Sequence, residues 1–169
     1  MNRVKGLLRA KALEKWETKL STTRKTESSK IHLYSHLKQK FGYEEYLSVT
    51  DRLATRISLT KVRLSSHNMP IEVGRYIGLE RDDRVCPFCS ADAGDEQHYL
   101  CECPDPLFLS KRATLFEHFE AKYPGFNALS SRDKTVALLT PKETVTVSKV
   151  GHFCTHLAET FKEFNTRSV

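Results

Sequence analysis

Within nineteen positions, residues 86–104, the stretch CPFCSADAGDEQHYLCECP gathers four of the chain's five cysteines and one of its seven histidines. Thiols and imidazole crowded this closely constrain the fold more than any apolar pattern does, because they must share one small volume. Zinc takes four tetrahedral ligands drawn from thiolate sulfur and imidazole nitrogen, and a CxxC turn brings two sulfurs to one side of a tight loop with little strain. Cys86 and Cys89 supply that half. His98 and Cys103, with four residues between them, supply the other, giving a CCHC site with eight residues in its central loop. Cys101 competes with Cys103 for the fourth place, since HxxC spacing also closes a site; Pro104, which stiffens the exit, favours Cys103. A site closed by four protein ligands keeps no position for water or substrate, so the ion's expected role is structural.

Other chemistries fit the same residues less well. Buried free cysteines would leave the clustering without a reason. CPFC is similar to the CPYC of glutaredoxins, but that motif follows a first strand and opens a helix, whereas Cys86 sits in mid-chain before a polar, Gly-containing loop. A zinc deaminase needs HxE upstream and PCxxC downstream; Val85 precedes Cys86, and His67 lacks an acid two residues on. Pro104, Asp105, Glu120 and Lys122 spell a PD and ExK pattern that would suit a metal-dependent nuclease if they lay on adjoining strands, but the segment between them has helical periodicity. His152 and His156 stand one helical turn apart around Cys154 and read as surface histidines flanking a core cysteine.

Charge is distributed unevenly. Residues 1–40 carry eleven Lys and Arg against three acids, a net +8, so with a total of +6 the remainder carries −2. A basic arm attached to a roughly neutral body points to a polyanion, and nucleic acid is the expected partner. The expected phosphate contacts are Arg3, Lys5, Arg9, Lys11, Lys15, Lys19, Arg24 and Lys25 in the arm, with Lys61, Arg63, Arg75, Arg81 and Arg84 as a second patch ahead of the cysteines. The cysteine cluster itself is acidic, with Asp92, Asp95, Glu96, Glu102 and Asp105 around it, and would not draw phosphates. No apolar run approaches the ~20 residues of a spanning helix, and the opening residues alternate apolar and cationic side chains without a signal-like core. An intracellular protein, nuclear rather than cytoplasmic, is expected, with its cysteines reduced and available to a metal.

Val4, Leu7, Leu8, Ala12, Trp16 and Leu20 predict a first helix with one apolar stripe that needs a partner, which leaves room for a protein partner there. Residues 21–30 are polar and predict a linker; residues 31–42 predict a short helix stopped at Gly42. Val49, Leu53, Ile57, Val62 and Leu64 predict a helix capped by Thr50 or Asp51, and residues 67–84 a turn or short strand. After the cysteines come a helix through Leu107, Phe108, Leu115, Phe116 and Phe119, a short one capped near Ser131, and the clearest amphipathic helix, built on Val147, Val150, Phe153, Cys154, Leu157, Ala158, Phe161 and Phe164. The fold class is therefore mainly α: a basic helical arm and linker over residues 1–40, then a helical domain over 41–169 carrying a small CCHC zinc-knuckle-like insert at 86–104, with little or no β.

Three runs carry a resemblance: RLSSHNMPIEVGRY from Arg63, ERDDRVCPFC from Glu80 and GDEQHYLCECP from Gly94. Ser66, His67, Ile71, Glu72, Gly74, Arg75, Arg84, Cys86, Cys89, Asp95, Glu96, His98, Tyr99, Leu100, Cys103, Pro104 and Arg112 fall at its positions, and FGYEEYL from Phe41 extends it to about half the chain. The pattern resembles the zinc-binding C-terminal region of reverse transcriptases from LINE-type (non-LTR) retrotransposons. That resemblance implies a zinc knuckle that grips template or target nucleic acid. No aspartate pair of the polymerase type is present, so it implies no polymerase activity and no enzyme. The alternative is a zinc-stabilised module for protein–protein contact. Glu96 is expected to pair with Arg75 or to orient His98, and His67 to hydrogen-bond the turn after it.

Overall fold

The last helix organises the rest. The structure, a computed structural model, describes residues 2–26, 29–49, 52–90 and 93–167, with side chains from residue 4. Among these residues it contains α1 (Asn2–Arg24), α2 (His32–Leu37), α3 (Tyr46–Val49), α4 (Leu53–Arg63), α5 (Pro70–Tyr76), α6 (Pro106–Lys122), α7 (Ser131–Leu139) and α8 (Thr144–Arg167), and no strand. On α8, Val147, Val150, Phe153, Cys154, Leu157 and Phe161 are buried at the predicted spacing; α3, α4 and α6 pack on it. Phe164, placed in the same stripe, is half-buried with its ring 5.5 Å from that of Phe88. Among the described residues no helix is long and apolar enough to cross a membrane.

α4 meets α8 through a different face from the predicted one. Val62 is buried as expected, but Leu53 and Ile57 are exposed, and Thr55, Leu59 and Arg63 are buried in their place. The reason is a close crossing: a Cβ added to Gly151 of α8 would collide with Thr55 Cγ2 and lie 3.1 Å from Thr55 Cβ and 3.2 Å from its carbonyl oxygen. Small residues on both helices let the backbones approach, so the crossing sits at Thr55 rather than at the larger Leu53 or Ile57. Gly151→Ala is expected to lower stability by about 1–3 kcal/mol, the cost of overpacking a core contact, read as a lower denaturation midpoint in urea.

Three local predictions change. Residues 67–84 contain α5, because Pro70 occupies the first helical turn, where its missing N–H costs nothing, and a 3₁₀ turn at Arg81–Asp83, not a strand. The polar stretch from 21 begins as the last turn of α1, which reaches Arg24. Its neighbour α2 packs on α4 and α7. Ser130, one residue before the expected Ser131, caps α7 by accepting from the Asp133 N–H at 3.1 Å. The proposed caps Thr50 and Asp51 lie outside the described residues.

α1 is anchored only near its C-terminal end. Leu20 and Thr23 are buried, and Trp16 packs edge-on to Phe41 at 5.6 Å. Val4, Leu7 and Leu8, the N-terminal half of the predicted stripe, are each at least 60% exposed.

Candidate metal centre

Ligand atoms of Cys86, Cys89, His98 and Cys103 lie within 4.8 Å of one another and can hold a metal ion. Cys86 Sγ is 3.8 Å from Cys103 Sγ, Cys103 Sγ is 3.9 Å from Cys89 Sγ, and Cys89 Sγ is 3.4 Å from His98 Nε2. These separations exceed the ~2.05 Å of a disulfide. They match the edges of a tetrahedron around zinc, which are about 3.8 Å for sulfur to sulfur and about 3.6 Å for sulfur to nitrogen, given bonds of about 2.3 and 2.0–2.1 Å. Cys86 and Cys103 are fully buried, His98 nearly so, and Cys89 half-buried.

Each half of the cluster has a local cause. Residues 86–90 make a tight turn closed by the Ser90 N–H donating to the Cys86 carbonyl at 2.9 Å, with Ser90 in the left-handed region at φ +56°. His98–Glu102 is a π turn, and the Cys103 N–H donates to the His98 carbonyl at 2.7 Å. That i to i+5 bond is what brings an HxxxxC pair to one side; π turns are rare and are frequent at functional sites. Asp95 starts the turn, accepting from the His98 N–H at 2.9 Å and from Arg81 Nη2 at 2.9 Å. Cys101 faces away, with its sulfur 3.4 Å from Thr135 Oγ1 on α7, and burial pushes its thiol up to about 11.

Aromatic residues interleaved with the ligands fasten the turn to the helices. Phe88, inside the CxxC, lies 5.2 Å from Phe108 on α6 and 5.6 Å from Phe161 on α8; Tyr99, next to His98, lies 4.7 Å from Phe161. Phe88 carries no periodic signal and was not assigned a role from sequence, since its importance comes from the turn that aims it. Arg112, buried on α6, donates from Nη2 to the Cys103 carbonyl at 2.6 Å. Three thiolates around a divalent ion leave one negative charge, which this guanidinium offsets. Burial also holds the His98 imidazole below its ordinary value, and neutral imidazole is the form that binds metal.

Glu96 and Arg75 have other partners than those expected. Glu96, buried, accepts from His67 Nε2 at 2.8 Å and from the Ser65 hydroxyl. Burial alone would raise its carboxyl, but the hydrogen bonds from His67 and Ser65 hold it below the usual range. Arg75 pairs with the buried Glu72 at 3.0 Å. His67 Nδ1 accepts from the Met69 N–H at 3.3 Å, in the turn after it.

No family model, curated protein or solved structure matches the chain.

The basic residues divide into two groups. Lys5, Arg9, Lys11, Lys15, Lys19, Arg24 and Lys25 are exposed along α1 and just after it; the Arg3 side chain lies outside those described. Arg24 also donates to the Ser35 carbonyl at 2.8 Å. The second patch does not assemble as a phosphate-facing surface. Lys61 is exposed, but Arg63 and Arg84 are buried. Arg84 donates to the Leu79 carbonyl at 2.6 and 3.0 Å and to the Ile71 carbonyl at 3.2 Å, crossing α5 where a Cβ on Gly74 would lie 2.5 Å from its Cγ. Arg75 and Arg81 are held by Glu72 and Asp95. Arg63 and Arg84 are thus turned to internal acceptors, while Arg75 and Arg81, partly exposed, each hold a carboxylate. The PD and ExK residues are also separated: Asp105 caps the start of α6 by accepting from the Leu107 N–H at 2.9 Å, while Glu120 near its other end accepts from the Gly125 and Asn127 N–H groups. Fifteen residues of helix put them about 22 Å apart, too far to share an ion.

Proposed function

We propose that the chain is a non-catalytic, nucleic-acid-binding helical domain organised by one structural zinc ion, related to the C-terminal region of LINE-type reverse transcriptases. Zinc is favoured by the donor set, since three thiolates and an imidazole select zinc over hard cations. The observation that carries the binding reading is the exposed cationic surface of α1: among the described residues, no carboxylate pairs with Lys5, Arg9, Lys11, Lys15 or Lys19. Unpaired cations on a helix that projects from its anchor are free to replace the counterions of a polyphosphate. A nuclear location accords with such a ligand.

A second reading rests on Val4, Leu7 and Leu8, whose exposure suits a protein partner. Salt titration separates the two. Five contacts to a single strand predict log affinity falling against log salt with a slope of about −3.5, measured by fluorescence anisotropy with labelled RNA and DNA oligonucleotides. A flat salt response, or no binding at 50 mM salt, would leave the protein-partner reading in its place.

A further inference from the structure

α6 and α8 run antiparallel: His156 Nε2 lies 2.9 Å from the Leu107 carbonyl, His118 Nε2 lies 3.2 Å from Thr146 Oγ1, and Lys122 pairs with Glu143. Between them is a groove of about 240 Å³ lined by Lys111, Thr114, Leu115, Lys149, His152 and Phe153. Lys111, His118 and Lys122 recur on α6 at spacings of seven and four, and Lys149 and His152 on α8 at three, so each set shares a helix face. Burial and the charges of Lys149 and Lys122 hold the His118 imidazole below its ordinary value, which brings cations of both helices to one place.

Little negative charge offsets this line. Lys111 and Lys149 are exposed, and among the described residues no carboxylate pairs with either. Glu143 is paired with Lys122 at one end, and Glu120 is occupied by backbone N–H groups. Glu117 leaves α6 about 120° round the helix from Lys111. The cationic face of α6 from Lys111 to Lys122 is about 16 Å long. Packed helices have axes about 8–10 Å apart, so the depression between them is on the scale of one sugar-phosphate backbone. Leu115 and Phe153 give it an apolar floor suited to sugar carbons.

We infer that the α6–α8 groove is a second phosphate track, taking the sugar-phosphate backbone of single-stranded nucleic acid through Lys111 and Lys149. It rests on the nucleic-acid reading above and places the body's contact surface away from the metal turn, whose arginines are internally engaged.

The test compares salt slopes for a labelled 20-nucleotide single strand between wild type, Lys111→Ala/Lys149→Ala, and an α1 variant with Lys5, Arg9, Lys11 and Lys15 changed to Ala. Losing two contacts should flatten the groove variant's slope by about 1.4 and weaken low-salt binding at least ~10-fold, while the α1 variant loses about 2.8 of slope. Lys111→Arg/Lys149→Arg should bind as wild type. The groove is overturned, and the α1 reading kept, if the Ala pair retains wild-type slope and affinity while the α1 variant loses both. No binding by the wild type overturns the two together. Metal content and unfolding temperature equal to wild type in the Ala pair show that any loss is at the surface.

Discussion

Cys86→Ser is expected to abolish metal binding by the Cys3His cluster and to unfold the segment around it. From the end of α5 to the start of α6 the described residues make only a 3₁₀ turn, the CxxC turn and the π turn, so the order of this segment depends on what joins Cys86 and Cys89 to His98 and Cys103. Structural zinc in small domains supplies an apparent 10–16 kcal/mol at neutral pH, comparable to the roughly 5–15 kcal/mol stability of a whole domain. Removing one thiolate should cost more than the 10–100-fold in affinity typical of residues that only support a ligand. The effect should spread, because Phe88 and Tyr99 would no longer be pinned into the aromatic contacts with Phe108 and Phe161. Cys101→Ser should keep its metal, since that sulfur faces Thr135. Acid should act as the mutation does. Burial pushes the Cys103 thiol up to about 12, so without metal it is protonated at neutral pH and binding must expel the proton; affinity therefore rises with pH and falls on acidification. Elemental analysis and thermal unfolding with and without chelator check all of this. A Cys86→Ser protein that retains one equivalent of metal and wild-type unfolding, or a wild type prepared under reducing conditions without transition metal, would remove the Cys3His centre.

The cluster is legible in sequence because ligand chemistry leaves few spacings that work, and α8 because its apolar residues recur at 3.6-residue intervals without interruption. What is not legible depends on contacts between distant segments. Thr55 looks like a poor core residue until Gly151, nearly a hundred positions later, lies against it. The arginines at 63, 75, 81 and 84 look like a basic patch by composition; only the fold shows that two are buried and that three are paired with acids. Lys111 and Lys149 escape notice for the opposite reason, since charges spread over two helices separated by α7 form no run in the sequence. Glu96 sits two residues from a ligand yet turns to Ser65 and His67, while its neighbour Asp95 meets the His98 N–H, a difference of side-chain direction that proximity along the chain does not reveal.

Arg63→Ala is expected to cost about 3 kcal/mol or more without disturbing the metal. The Arg63 side chain is 2% exposed. Its Nη1 donates to the Leu139 carbonyl at the end of α7, its Nη2 to Glu44 Oε2 at 2.8 Å, and its guanidinium carbon lies 4.7 Å from the centre of the Tyr46 ring. One side chain thus joins the end of α4 to the C-terminal carbonyls of α7, where a cation is favoured by the helix dipole, and to the loop before α3. Truncation leaves a buried carbonyl unsatisfied and a cavity beneath Tyr46. Breaking a buried charged pair costs about 3–5 kcal/mol; the lower end applies because Glu44 keeps Lys38 at 2.9 Å and is 21% exposed. Arg63→Lys should fall between wild type and Ala, since an ammonium reaches one acceptor where the planar fork reaches two. Urea unfolding gives the free energies, and metal content controls for the turn. A surface role makes the contrary forecast: an Arg63→Ala protein as stable as wild type, but with a flatter salt dependence of nucleic-acid binding, would return Arg63 to the phosphate-contacting set and show that the interior position described for it is wrong.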